Sequence, residues 1–119
     1  MEFFIRKDAT LPLLKMQVVN DGRMTFENFM NTLETASIYF SMVNTDNGIM
    51  KINALPARIV EKTNMDPNAK PEYYIYYKFR PVDTNKAGRF EGEFIIQTEN
   101  GTLIAPIRDR LFINITDFS

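Results

Sequence analysis

A chain of 119 residues with 14 cations, 15 anions, no histidine and no cysteine has few chemical tools. Those absences exclude disulfides, thiolate zinc sites and any imidazole base. The length predicts one domain over residues 1–119, with core enough to fold unaided. A net charge of −1, spread along the chain, leaves no basic stripe for nucleic acid and little self-repulsion to oppose association.

The opening Met1-Glu2-Phe3-Phe4-Ile5-Arg6-Lys7 is too short in apolar residues for an export signal. No window approaches the ~20 apolar residues of a membrane span. A cytoplasmic protein with no membrane contact is the expectation.

In order along the chain, residues 3–5 and 11–19 read as strands around Asp8-Ala9-Thr10. Pro12 cannot donate to a ladder, so it belongs at a strand start or on a sheet edge. Asn20-Asp21-Gly22 ends the second segment with a turn. The rhythm then changes. Phe26, Phe29, Met30 and Leu33 fall at i, i+3, i+4 and i+7, which predicts a short helix over 25–34. Thr25 is its N-cap, and Glu27 lies where the helix dipole favours an anion. A helix of about ten residues does not persist alone, so this one is expected to pack on the β-core.

Strands resume at 37–43, with Ile38, Phe40 and Met42 on one face and Tyr39, Ser41 and Val43 on the other. Residues 44–48 turn and 49–52 return, completing a hairpin. A short strand at 58–62 precedes a loop at 63–71, which holds Pro67 and Pro71. Residues 73–79 are aromatic and β-branched, the strongest strand signal in the chain. Residues 81–88 end it. In 90–97, Phe90, Gly92, Phe94 and Ile96 oppose Glu91, Glu93 and Gln97. Asn100-Gly101 suits a type I′ hairpin turn. Leu103 and Ile104 return, Pro106 interrupts, and Leu111, Ile113 and Ile115 alternate in the last strand. About seven to nine short strands and one helix predict an all-β fold, an antiparallel β-sandwich rather than a βαβ architecture.

Candidate chemistry is sparse. Gly88-Arg89-Phe90-Glu91-Gly92 lacks the Lys-Ser/Thr of a phosphate loop. Glu91 and Glu93 share a strand face about 7 Å apart, a spacing that suits a glycosidase pair. Such pairs flank a cleft from different elements, whereas alternating glutamates are what a solvated strand face presents. Asp46-Asn47-Gly48 lacks the spacing and closing glutamate of a calcium loop. No catalysis, cofactor or metal site is expected. Tyr74 and Tyr76 share a strand face, suited to packing with protein contact or, alternatively, to stacking on a carbohydrate. The seven methionines suit an irregular core and contact surface.

With these elements in order, the chain resembles the immunoglobulin-like N-terminal domain of phage baseplate upper proteins and related virion fibre or adaptor modules. The likeness rests on four segments: the opening Phe4-Ile5-Arg6-Lys7-Asp8-Ala9-Thr10-Leu11-Pro12, then Asn20-Asp21-Gly22, then Gly88-Arg89-Phe90-Glu91-Gly92-Glu93-Phe94, and finally Pro106-Ile107-Arg108-Asp109-Arg110-Leu111-Phe112-Ile113-Asn114-Ile115. The chain departs from that pattern in its longer helix at 25–34. It departs also at Phe90, which has no hydroxyl for a tyrosine corner, and at Gly92, where a disulfide cysteine would stand.

The resemblance implies an immunoglobulin-like sandwich serving as a stand-alone structural module of a phage virion, at a capsid, neck, tail or baseplate site. It implies assembly in the host cytoplasm, many copies or a homo-oligomer, contacts with other virion proteins and no catalytic residues. Partner contacts are expected at Tyr74 and Tyr76 and at sheet edges beside Pro12 and Leu14 and beside Pro106 and Arg108, because edge strands join partners by strand addition. A carbohydrate-binding sandwich using exposed tyrosines is the alternative.

Overall fold

The computed structural model describes residues 1–18, 35–62, 72–99, 101–106 and 109–117. Within them lie β1 (Glu2–Arg6), β2 (Leu14–Val18), β3 (Ser37–Asn44), β4 (Met50–Pro56), β5 (Arg58–Lys62), β6 (Glu72–Tyr77), β7 (Gly88–Thr98), β8 (Gly101–Ala105) and β9 (Leu111–Thr116). A short 3-10 turn, Pro81–Thr84, sits between β6 and β7. The helix expected over 25–34 and the loop expected over 63–71 lie outside the described residues.

The strands form two sheets. The larger runs β1-β9-β7-β3-β4, with β8 also paired to β7, and the smaller runs β2-β6-β5. In immunoglobulin lettering that is A′-G-F-C-C′ against B-E-D, a variable-type sandwich order. Alternation drives it: Ile38, Phe40 and Met42 of β3, Phe90, Phe94 and Ile96 of β7, and Leu111, Ile113 and Ile115 of β9 all turn inward and are buried. Leu14, Met16, Ile75 and Tyr77 meet them from the smaller sheet.

Phe40 occupies the centre. Its ring stacks on Tyr77 at 4.9 Å and lies 5.0 Å from Phe94, its cross-strand neighbour. Phe79 closes the cluster, edge-on to Tyr77 at 5.3 Å and stacked with Phe3 at 5.9 Å. Each buried aromatic contributes about 2–3 kcal/mol through its apolar surface, and ring pairs add about 0.5–1.5 kcal/mol. Gly92 makes this packing possible: a Cβ there would lie 2.6 Å from Ile113 Cδ1 and 2.8 Å from Phe40 Cζ. The Phe40 ring fills the space that a side chain at this position would need.

The pairing is mostly antiparallel, with β1 running parallel to β9 as the exception among the described strands. Both strands finish at the same end, where Lys7 N–H donates to the Thr116 carbonyl and the chain crosses to the smaller sheet as β2. Two expectations need correction. The second strand begins at Leu14 rather than Leu11; Leu11 and Pro12 are exposed, and proline has no N–H to give a ladder. Register pairs Thr98 with Gly101, so that glycine opens β8 and is not a central residue of a type I′ turn.

The chain changes sheets in the middle of an almost continuous strand. Only Ala57 separates β4 from β5, and its N–H donates to the Ile38 carbonyl at 2.8 Å. The β3–β4 register shifts between Phe40 and Met42, and Ala54 takes a φ of 51°. Its N–H donates to the Ser41 hydroxyl oxygen at 2.9 Å. This bulge bends β4 out of the larger sheet toward the smaller.

Candidate interaction surface

The expected contact residues divide between the sheets. Tyr74 and Tyr76 lie on the outer face of the smaller sheet, half-buried, opposite in direction to the buried Ile75 and Tyr77. Register sets Tyr76 between Lys15 and Arg58, so a ring lies in a row with two cationic residues. Pro12 is exposed just ahead of β2, an edge strand. Leu14 is 2% exposed and belongs to the core, so its side chain presents no contact surface. Pro106 follows β8, which among the described residues pairs only with β7 and forms a second edge. Arg108 lies outside the described residues. Among the described residues, Pro12 and Pro106 thus adjoin edge strands of different sheets.

The outer face of the larger sheet holds a charged cluster that sequence reading did not assemble. Phe112 of β9 lies under two guanidinium groups, Arg89 at 3.9 Å and Arg110 at 5.2 Å from the ring centroid. Each arginine grips a carboxylate. Arg89 donates to Glu2 at 2.6 Å, and Arg110 donates two bonds to Glu91 at 2.9 and 2.6 Å. Asn114 donates to the other Glu2 oxygen, and the terminal amine of Met1 to Asp109 at 3.0 Å. Register explains the gathering: Glu91, Phe112 and Glu2 are neighbours on β7, β9 and β1. Sequence displayed the alternating Arg89, Glu91 and Glu93, but a ladder partner is invisible until strand order is known.

Electrostatics follow from these contacts. The hydrogen bonds from Arg110 hold the Glu91 carboxyl below its ordinary value, against a smaller opposing effect of burial. The terminal amine, then the Arg110 N–H, do the same for Asp109. Glu91 is thus charged at neutral pH, the wrong state for the acid of a carboxylate pair. With Glu93, Ser41, Val43 and Met50 it borders a shallow, open depression.

Apolar side chains share this outer face. Pairing lines up Pro56, Tyr39, Ile95 and Ile104 in one row across β4, β3, β7 and β8. Met50 and Val43 lead into the Glu91–Phe112 row. Such a face, mixing apolar rows with charges already partnered, has the make-up of a protein-contact surface.

At one end of the sandwich, loops are tied together. Asp8 N–H donates to the Thr84 carbonyl and the Thr84 hydroxyl to the Ala9 carbonyl, both at 2.9 Å. Beneath them, Asp83 is 1% exposed and accepts from the Tyr77 hydroxyl, the Arg80 N–H and the Arg80 guanidinium. An immunoglobulin tyrosine corner draws its bond from strand F. Here the end of β6 supplies the hydroxyl that Phe90 lacks.

Among the described residues, no three acidic side chains converge to hold a metal ion, and no helix is long and apolar enough to cross a membrane. Comparison with protein-family models, with curated proteins and with solved structures finds no match, so the geometry stands as the guide to what this chain does.

Proposed function

We propose that the chain is a structural protein–protein interaction module of a phage virion, a capsid, neck, tail or baseplate component that binds other virion proteins without catalysing a reaction. The observation that carries this reading is the outer face of the larger sheet. Its apolar rows and its partnered cluster Glu2–Arg89–Phe112–Arg110–Glu91 suit a flat protein surface. Strand order in both sheets supports the likeness to immunoglobulin-like virion modules. Assembly takes place in the host cytoplasm, and the module is present in multiple copies. Mass spectrometry of purified particles tests the reading: the chain is expected in fixed ratio to other particle proteins, and particles free of it reject the role.

A second reading, carbohydrate binding, draws on the outward orientation of Tyr74 and Tyr76 and the flanking Lys15 and Arg58. A glycan panel probed with wild type and Tyr76→Ala separates the two. Binding that the substitution removes favours the carbohydrate; no binding leaves the tyrosines to protein contact.

A further inference from the structure

The outer faces of the two sheets carry their charges differently. On the larger sheet, Arg89 and Arg110 each grip a carboxylate, from Glu2 and Glu91. On the smaller sheet stand Lys15 of β2, Arg58 of β5 and Lys78 just after β6, all exposed. Alternation puts them on one side. Lys15 lies between the buried Leu14 and Met16, and Lys78 between the buried Tyr77 and Phe79. Register sets Lys15 and Arg58 on either side of Tyr76, which is half-buried. Among the described residues, none of these three cations forms an ion pair. The acid of β6, Glu72, stands opposite Lys62 at the far end of the ladder.

Neighbouring strands lie about 4.8 Å apart, and two residues advance about 7 Å along a strand. The positions of Lys15 and Arg58 are therefore about 10 Å apart across β6, with Lys78 about 8 Å from each on the diagonal. The three surround Tyr76 as a triangle.

We infer that this face is a docking site for an acidic, extended segment of a partner protein. Arg58 takes one carboxylate in a two-pronged bond, and Lys15 and Lys78 hold others as point charges. Tyr76 packs beneath the backbone between them, as tyrosine does at protein interfaces. Side chains on one side of an extended segment recur about every 7 Å, which suits the spread of the triangle. A single-stranded nucleic acid fits less well. It needs a basic groove that tracks many phosphates, whereas these cations cluster within about 10 Å. Such docking presupposes that the chain is an interaction module, and it names the chemistry of a second partner. With the apolar rows of the larger sheet on the opposite side, the module bridges two partners of different character.

The test uses a fluorescein-labelled decapeptide of alternating glutamate and threonine, read by anisotropy against the purified chain. At about 10 mM salt the peptide is expected to bind, and binding weakens toward about 150 mM as the screening length falls from about 30 Å to about 8 Å. A glutamine–threonine peptide does not bind. Arg58→Glu and Lys15→Glu each weaken binding about tenfold or more while the melting temperature holds, and the milder Arg58→Gln acts in the same direction. Lys51→Glu, the same reversal on the larger sheet, leaves binding within about twofold. No binding at low salt overturns the inference, as does binding that survives in the folded Arg58 and Lys15 variants. Tighter binding of a labelled thymidine decanucleotide, lost on the same substitutions, makes the face a nucleic-acid site and also overturns it. Particle composition is a separate measurement. A chain present in particles that ignores the peptide defeats this site alone, and a chain that binds the peptide but is absent from particles defeats the virion role alone.

Discussion

The hydroxyl of Tyr77 donates to a carboxylate oxygen of Asp83 at 2.7 Å, and both side chains are buried where the chain leaves the smaller sheet for the larger. The bond fixes the corner between β6 and β7. Arg80 completes the carboxylate's partners with its backbone N–H at 2.8 Å and its guanidinium at 2.8 and 3.2 Å. Removing either end leaves a buried group without its match. Asp83→Ala is expected to cost about 2–4 kcal/mol and Tyr77→Phe about 1–2 kcal/mol, read from denaturant unfolding.

The same corner predicts how stability responds to pH. Burial alone would raise the Asp83 carboxyl, but bonds from Arg80 and Tyr77 outweigh it and hold the group below its ordinary value. Its contribution is complete above the unfolded pKa of about 3.9 and is lost as pH falls through the lower folded value. Wild type should therefore lose stability below about pH 4, more steeply than Asp83→Asn. Tyr77 moves the other way, raised first by burial and then by its bond to Asp83. The folded chain keeps that proton while the unfolded chain releases it near pH 10, so stability falls as pH rises beyond about 10. Tyr77→Phe removes that component, giving a flatter alkaline limb in thermal melts.

At Gly92 the prediction is steric. A methyl group would press on Ile113 and the Phe40 ring, both inside the core. Gly92→Ala is expected to cost about 1–3 kcal/mol by overpacking. A melting temperature equal to wild type would show that the Phe40 cluster has slack.

The β4 bulge makes opposite predictions for its two residues. Ala54 holds a left-handed φ of 51°, which glycine adopts without a Cβ clash. Ala54→Gly should be neutral or stabilising by up to about 1 kcal/mol. Ser41→Ala deprives the Ala54 N–H of its acceptor and should cost about 1–2 kcal/mol. Equilibrium unfolding of both variants is the check.

Elements whose pattern is local could be read in advance. The strand expected at 58–62 coincides with β5, and the inward faces of β3 and β7 match their alternation residue by residue. Interactions that depend on which strands become neighbours were hidden. Nothing in Glu-Phe-Phe-Ile-Arg says that β1 lies parallel to β9, and the Phe112 cluster gathers only because β9 pairs with β7 on one side and β1 on the other. Phe90 has no hydroxyl for a tyrosine-corner bond, and the corner bond comes instead from Tyr77, which burial and the sharp turn at Pro81–Thr84 bring to Asp83. Leu14 adjoins Pro12 on the edge strand β2, yet its inward parity puts its side chain in the core. Among the described residues, Tyr74 and Tyr76 share an outer face and Pro12 and Pro106 adjoin edge strands, features that strand parity and proline chemistry make legible, whereas the charged face between β1 and β7 depends on strand order.

A map of the assembled particle at side-chain resolution tests the central proposal most directly. The account predicts repeated copies of this β-sandwich, seated against other particle proteins through the outer face that carries Phe112, Ile95 and Tyr39. Complete, infectious particles with no density for this sandwich would contradict it.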